Sequence, residues 1–127
     1  MLEAAIHTFN EERTEEHWMD IMEILRDSYV WIPCNAVMSD VDQARLIPDI
    51  LQNGDKFFFP VFSNEGAMGD YGNGFSKVQK HFLEALVLAK NNEKDLAGIV
   101  INAFSEPYVL DKEIWDLVEK MKYRFQK

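Results

Sequence analysis

Few residues of this chain are of a type that does chemistry, and their spacing decides what each could do. Gly69-Asp70-Tyr71-Gly72-Asn73-Gly74 packs three glycines into a short run, as a phosphate cradle would. The G-x-x-G-x-G spacing matches neither the dinucleotide nor the P-loop fingerprint. No Lys-Ser/Thr pair follows, and Asp70 would repel phosphate. The run reads as a mobile surface loop. Cys34 is the only cysteine. A thiol reacts as its thiolate, and no positive charge lies near Cys34 in sequence to favour that form, so packing is its expected role. Gly74-Phe75-Ser76-Lys77-Val78 lacks the second glycine of a nucleophile elbow. His7, His17 and His81 are far apart, and none sits in an H-E-x-x-H arrangement. His17 borders an apolar stripe with no second His or Cys at ligand spacing. His81 falls where a helix begins and is expected to cap it. No catalytic residue, cofactor site or metal ligand is predicted.

Charge is the stronger signal. The 127 residues carry 13 basic and 22 acidic side chains, a net charge of -9. That balance argues against nucleic acid, whose phosphates demand Lys and Arg, and against an anionic membrane surface. Residues 1–27 hold 8 acids and 2 bases. Glu11, Glu12, Glu15 and Glu16 are predicted to cluster at the exposed start of a helix, where they would steer a basic protein partner. A solvated face that keeps the protein soluble is the plainer reading of the same cluster. A lone cysteine precludes an internal disulfide and fits a reducing, cytoplasmic setting. The N-terminus is unlike a signal peptide, and no apolar run approaches the length of a membrane span.

The elements that must hold these residues read as α/β. Leu2, Ala5, Ile6 and Phe9 fall at helical spacing, and Asn10 can end that helix. Thr14 can cap a second helix, whose stripe is Trp18, Ile21, Met22 and Leu25. Tyr29–Ile32 predicts a strand that Pro33 stops. Residues 35–45 read as loop. The stretch Leu46–Asn64 predicts a hairpin turning at Gln52-Asn53-Gly54-Asp55, with Asn-Gly supplying positive φ. Its first strand, holding Ile47-Pro48, should be irregular or near an edge. Its second, Lys56–Phe62, is apolar on both faces and predicts a strand covered on both sides. Ser63 or Asn64 can cap a short helix over Glu65–Met68. Phe75–Gln79 reads as either strand or helix start. Phe82, Ala85, Leu86 and Ala89 make the stripe of a helix that Asn91-Asn92 ends. Leu96–Ile101 follows a helix, as parallel strands do. Residues 102–107 turn the chain into a short extension at Tyr108–Leu110. Asp111 is placed to cap a last helix buried through Ile114, Trp115, Leu117, Val118 and Met121. Lys120, Lys122, Arg124 and Lys127 complement its C-terminal end.

Three segments together resemble the SseB protein N-terminal domain family, named for enhanced serine sensitivity. They are Leu25-x-x-Ser28-x-Val30-x-Ile32-Pro33, Gly54-Asp55-x-x-x-Phe59-Pro60-Val61-Phe62-Ser63 and Gly98-Ile99-Val100-Ile101-Asn102-x-Phe104-Ser105. Ala103 stands where the family often has proline. The resemblance spans nearly the whole chain in order and implies the strand reading of Phe75–Gln79. It implies no enzyme activity, cofactor or catalytic residue. Larger members carry a second domain, so residues 1–127 are expected to hold the N-terminal domain alone.

The expectation is therefore one α/β domain with a mixed sheet of about five strands and helices packed on it. Its predicted core includes Trp18, Leu25, Phe57, Phe59, Ile99 and Trp115. The leading function is a non-catalytic cytosolic binding module acting through a protein partner. A small-molecule enzyme with a site at the loops around Cys34, Asp70 and Asn102 is the alternative from another class. An acidic immunity-type inhibitor that masks a basic toxin is the third.

Overall fold

The apolar spacing at the front of the chain becomes two helices in the computed structural model, which describes residues 2–38, 44–74, 76–92 and 94–120. Helix α1 (Leu2–Glu11) turns Leu2 and Ile6 inward. Thr14 caps α2 (Glu15–Arg26), its hydroxyl accepting the His17 N–H at 3.1 Å. Ile21, Met22 and Leu25 are buried, and Trp18 is partly so.

Strand β1 (Tyr29–Met38) does not stop at Pro33. On one edge, Trp31 exchanges backbone hydrogen bonds with Phe62; from Cys34 onward that edge pairs with β2 (Ala44–Pro48). Pro33 sits where the partner changes, so its missing N–H costs no ladder bond, and its carbonyl accepts the Asp49 N–H at 2.9 Å. The loop expected over residues 35–45 is thus largely strand; residues 39–43 lie outside the described residues. The Leu46–Asn64 stretch also divides. Residues up to Pro48 join the first sheet. The hairpin itself consists of the short β3 (Leu51–Asn53) and β4 (Lys56–Val61). Within its turn only Gly54 has positive φ, at 65°; Asn53 does not. Gly at the first of two central residues is the type II′ pattern, which suits the twist of flanking strands.

A 3-10 stretch, Glu65–Gly74, follows and breaks at Gly69, whose φ of 55° suits glycine. The structure gives this run 3-10 turns where the sequence suggested a loop. The Asn64 side chain accepts the Ala67 N–H at 2.9 Å, and Met68 is buried beneath. Strand β5 (Ser76–His81) confirms the strand reading there, with Phe75 outside the described residues. Its antiparallel pairing with β1 completes a three-stranded sheet, β2-β1-β5. His81 then caps α3 (Phe82–Lys90), its Nδ1 accepting the Leu83 N–H at 3.2 Å.

Strand β6 (Leu96–Ile101) returns parallel to β4, and β7 (Tyr108–Asp111) runs antiparallel beside it. The second sheet is β3-β4-β6-β7. Counted through the Trp31–Phe62 bridge, β5-β1-β4-β6-β7 is a mixed path of five strands; β2 and β3 are the short edge pieces. A 3-10 turn, Lys112–Ile114, leads to α4 (Trp115–Lys120). Asp111 stands at the cap position but makes no side-chain cap bond. Leu117, expected inside, is exposed, while Met121, Lys122, Arg124 and Lys127 lie outside the described residues.

One core holds these parts together. Paired residues share a face, and Phe59–Ile99–Leu110 and Val61–Ile101–Tyr108 form rows on the same side of the second sheet. Against them pack Leu2 and Ile6 of α1, Leu25 of α2, Leu86 of α3 and Val118 of α4. All four helices thus contribute to one cluster on one face. The expectation that β4 is covered on both sides is met over Phe59–Val61, all buried, while Phe57 and Phe58 are only partly covered. The opposite rows, Leu51–Phe58–Gly98 and Pro60–Val100–Val109, face away from the helices. Strand β7 shows this directly: Tyr108 and Leu110 are buried, Val109 and Asp111 exposed.

Candidate functional site

In open α/β sheets, ligands gather beyond the carboxyl ends of parallel strands. Here β4 and β6 end together, and Asn102 follows β6 as a buried residue with φ of 55°. Asparagine visits this left-handed region more readily than most residues. Its Oδ1 accepts the Ser63 N–H at 2.9 Å, its Nδ2 donates to Ser63 Oγ at 3.0 Å, and its own N–H donates to the Val61 carbonyl at 3.0 Å. The two strand ends are clasped by this one side chain.

Above the clasp lies an aromatic cluster. Phe62 and Phe104 stack with centroids 6.1 Å apart, and Tyr71 lies 4.9 Å from Phe104. The Tyr71 hydroxyl donates to the Asp49 carboxylate. Burial first, and then Asp49, push the Tyr71 phenol well above its ordinary range. Tyr71 is therefore a fixed hydrogen-bond donor at neutral pH and not a base. Phe62 is fully buried, but Phe104 is 55% exposed.

From Phe104 the apolar surface continues across the outward rows of the second sheet. Leu51, Phe58, Val100, Ala103, Phe104 and Val109, together with Gln52 and Asn53, line a groove of about 390 Å³. Phe58 and Val109 also border a second hollow of about 530 Å³, which reaches Lys56, Asp111 and Glu113. Gly98 lies in the row between Phe58 and Asp111; a Cβ there would stand 2.7 Å from the Leu110 carbonyl oxygen. A sheet face that meets water normally alternates to polar residues. This one does not.

The residues singled out in the sequence are distributed as follows. Glu11, Glu12, Glu15 and Glu16 are all exposed around the α1–α2 junction. Glu11 lies 3.7 Å from His7 Nε2, and the Arg13 guanidinium is held over the Phe9 ring at 5.3 Å. Cys34 is buried within β1, its thiol pushed up by burial foremost and by Asp49. Asp70 is exposed, and Asn102 is committed to Ser63. Two of these three are thus out of reach of a substrate. His17 Nδ1 contacts the Glu12 carbonyl at 2.7 Å, and His7 contacts Glu106 at 3.1 Å, tying α1 to the turn before β7. Among the described residues no group of His, Cys, Asp and Glu is arranged to hold a metal, and no helix is long and apolar enough to cross a membrane. Sequence reasoning missed the Asn102–Ser63 clasp and the open face. The available signal for the clasp was an asparagine directly after a buried strand.

Fold and surface together define a two-layer α/β domain with helices on one face of its second sheet and an aromatic-edged apolar surface on the other. The chain belongs to the SseB family by its N-terminal domain: the model of the SseB protein N-terminal domain matches residues 2–115. No curated protein and no solved structure matches the chain. The three resembling segments all fall inside the match, and two of them meet at the Ser63–Asn102 clasp.

Proposed function

We propose that this domain is a non-catalytic binding module of the cytoplasm that acts through a protein partner. The observation that carries the reading is the row of outward apolar residues on the second sheet. Phe104 is 55% and Val109 42% exposed, beside Phe58 in the same groove. Contiguous apolar surface of this kind is costly in water and marks interaction sites. Burying it against a partner recovers on the order of 25 cal/mol for each Å² of apolar area. The exposed Glu11, Glu12, Glu15 and Glu16 supply long-range attraction for a basic partner, which affects the rate of encounter more than the final affinity. A link to serine sensitivity enters through the family name alone.

The test is a pull-down from cytosolic extract with quantitative mass spectrometry. The baits are the wild-type chain and a Phe104→Ser/Val109→Thr variant. The reading expects one or a few proteins enriched on the first and depleted on the second. Equal enrichment on both baits would remove the apolar face from the account. Substrate turnover traced to the purified chain would overturn the non-catalytic reading.

A further inference from the structure

We infer that the open face of the second sheet receives a short apolar segment flanked by Lys or Arg on a partner protein. The inference rests on the binding-module reading and adds the chemistry of the occupant. It starts from a mismatch between sequence and packing. Strand β4 is apolar at every position from Phe57 to Val61, the composition of a strand buried on both sides. The helices cover one side; on the other, Pro60 and Val100 are buried, but Phe58 is only partly covered and Val109 and Phe104 are exposed. That open part of the face is where an occupant would sit.

Shape limits the occupant. The two hollows, about 390 and 530 Å³, meet at Phe58 and Val109 and have room for a few side chains each, not for a second sheet interlocking along its whole length. A short segment that inserts two or three apolar side chains fits them. Charge selects its flanks. Asp95, Asp111 and Glu113 are exposed around the lower hollow. Of the lysines beside them, Lys112 is bound to Asp95 at 3.0 Å, which leaves Lys56 facing the other acids. The rim is net acidic on a chain of charge -9. A second copy would bring the same sign of charge to the same rim, and so would an anionic membrane; both are disfavoured. Basic flanks on an apolar segment satisfy the rim and the hollows together.

The probe is a display library of random twelve-residue peptides selected against the whole chain, followed by titration of enriched synthetic peptides. The expected peptides carry two or three apolar residues flanked by Lys or Arg. Phe104→Ser/Val109→Thr should weaken them at least tenfold at a temperature where circular dichroism shows the variant folded, and Val109→Thr alone should weaken them in the same direction. Substituting Lys for Asp111 and Glu113 should weaken them severalfold, a change that loss of apolar contact alone does not explain. Peptides that bind equally well to the Phe104→Ser/Val109→Thr variant, but lose affinity when Glu12, Glu15 and Glu16 become Gln, would overturn this inference and leave the binding-module reading standing. Peptides without basic flanks would overturn the assigned chemistry. A dimer in sedimentation that the Phe104→Ser/Val109→Thr variant dissolves would give the face to a second copy and overturn the inference. A library that yields no binder would count against both readings.

Discussion

Phe58 and Phe59 are adjacent in β4 and point to opposite faces, so replacing each with alanine measures how far each face is covered. Phe59 is fully buried and pairs with Ile99 in the parallel ladder. The backbone there is held by β6, and the adjacent Phe58 by β3, so the site has little freedom to collapse around a cavity. Phe59→Ala should cost about 3–5 kcal/mol, the usual range for a buried Phe→Ala change. For a domain of this size that is a fall of roughly 12–20 °C in melting temperature. Phe58 faces outward, against Leu51 on one side and the bare Gly98 on the other, and is only partly buried. Phe58→Ala should cost about 1 kcal/mol, from lost strand preference and partial burial. Urea denaturation of the two variants, read by tryptophan fluorescence at equal denaturant slope, gives both values. Equal losses would show that both faces are covered within this chain and would refute the open-face reasoning. A barely shifted Phe59→Ala midpoint would refute the helix-covered core.

Four further predictions follow from the same structure. Burial and Asp49 raise the Cys34 thiol, so at neutral pH it stays protonated, and a thiol reagent should label it only at the rate of unfolding. Rapid labelling at pH 7 would contradict its packing role. Because the folded pKa of Cys34, and likewise of Tyr71, is raised, the unfolded chain ionises first as pH climbs. Stability should therefore be full below about pH 8 and fall above about pH 9, and Cys34→Ala with Tyr71→Phe should flatten that fall in pH-dependent urea titrations. Asn102→Ala keeps the positive φ and leaves the Ser63 N–H without its acceptor, so it should cost about 2–3 kcal/mol by denaturation. Asn102→Gly should cost less, because it relieves the backbone. Changing Glu12, Glu15 and Glu16 to Gln should slow association with a basic partner at low salt and leave the rate unchanged once the Debye length falls to roughly 3 Å. Surface plasmon resonance reads this directly; a rate indifferent to salt and to the substitutions would make the cluster a solubility feature.

Local chemistry was legible in the sequence wherever one residue settles one bond. Thr14 and Asn64 cap as their side chains and positions require, and His81 caps as its position at the start of α3 suggested. The apolar runs of β4 and β6 marked the sheet centre, and the helix between them marked their parallel pairing. What escaped was decided by neighbours distant in sequence. Pro33 ends most strands, but here its missing N–H coincides with the change from Phe62 to β2, which no local rule detects. The 3-10 turns of the glycine-rich run go with the burial of Met68 and with Tyr71 packing beside Phe62 and Phe104. The two-sided apolar pattern of β4 matches the burial of Phe59, Pro60 and Val61, whereas the partial exposure of Phe57 and Phe58 depends on neighbours the pattern does not reveal.

The most direct test of the account is the affinity of the protein returned by the pull-down, measured by isothermal titration calorimetry with the wild-type chain and with Phe104→Ser/Val109→Thr. The account predicts binding at least tenfold weaker in the variant, measured where circular dichroism shows it folded, and a less negative heat-capacity change, as expected when apolar area is lost from an interface. Equal affinities and equal heat-capacity changes would contradict it.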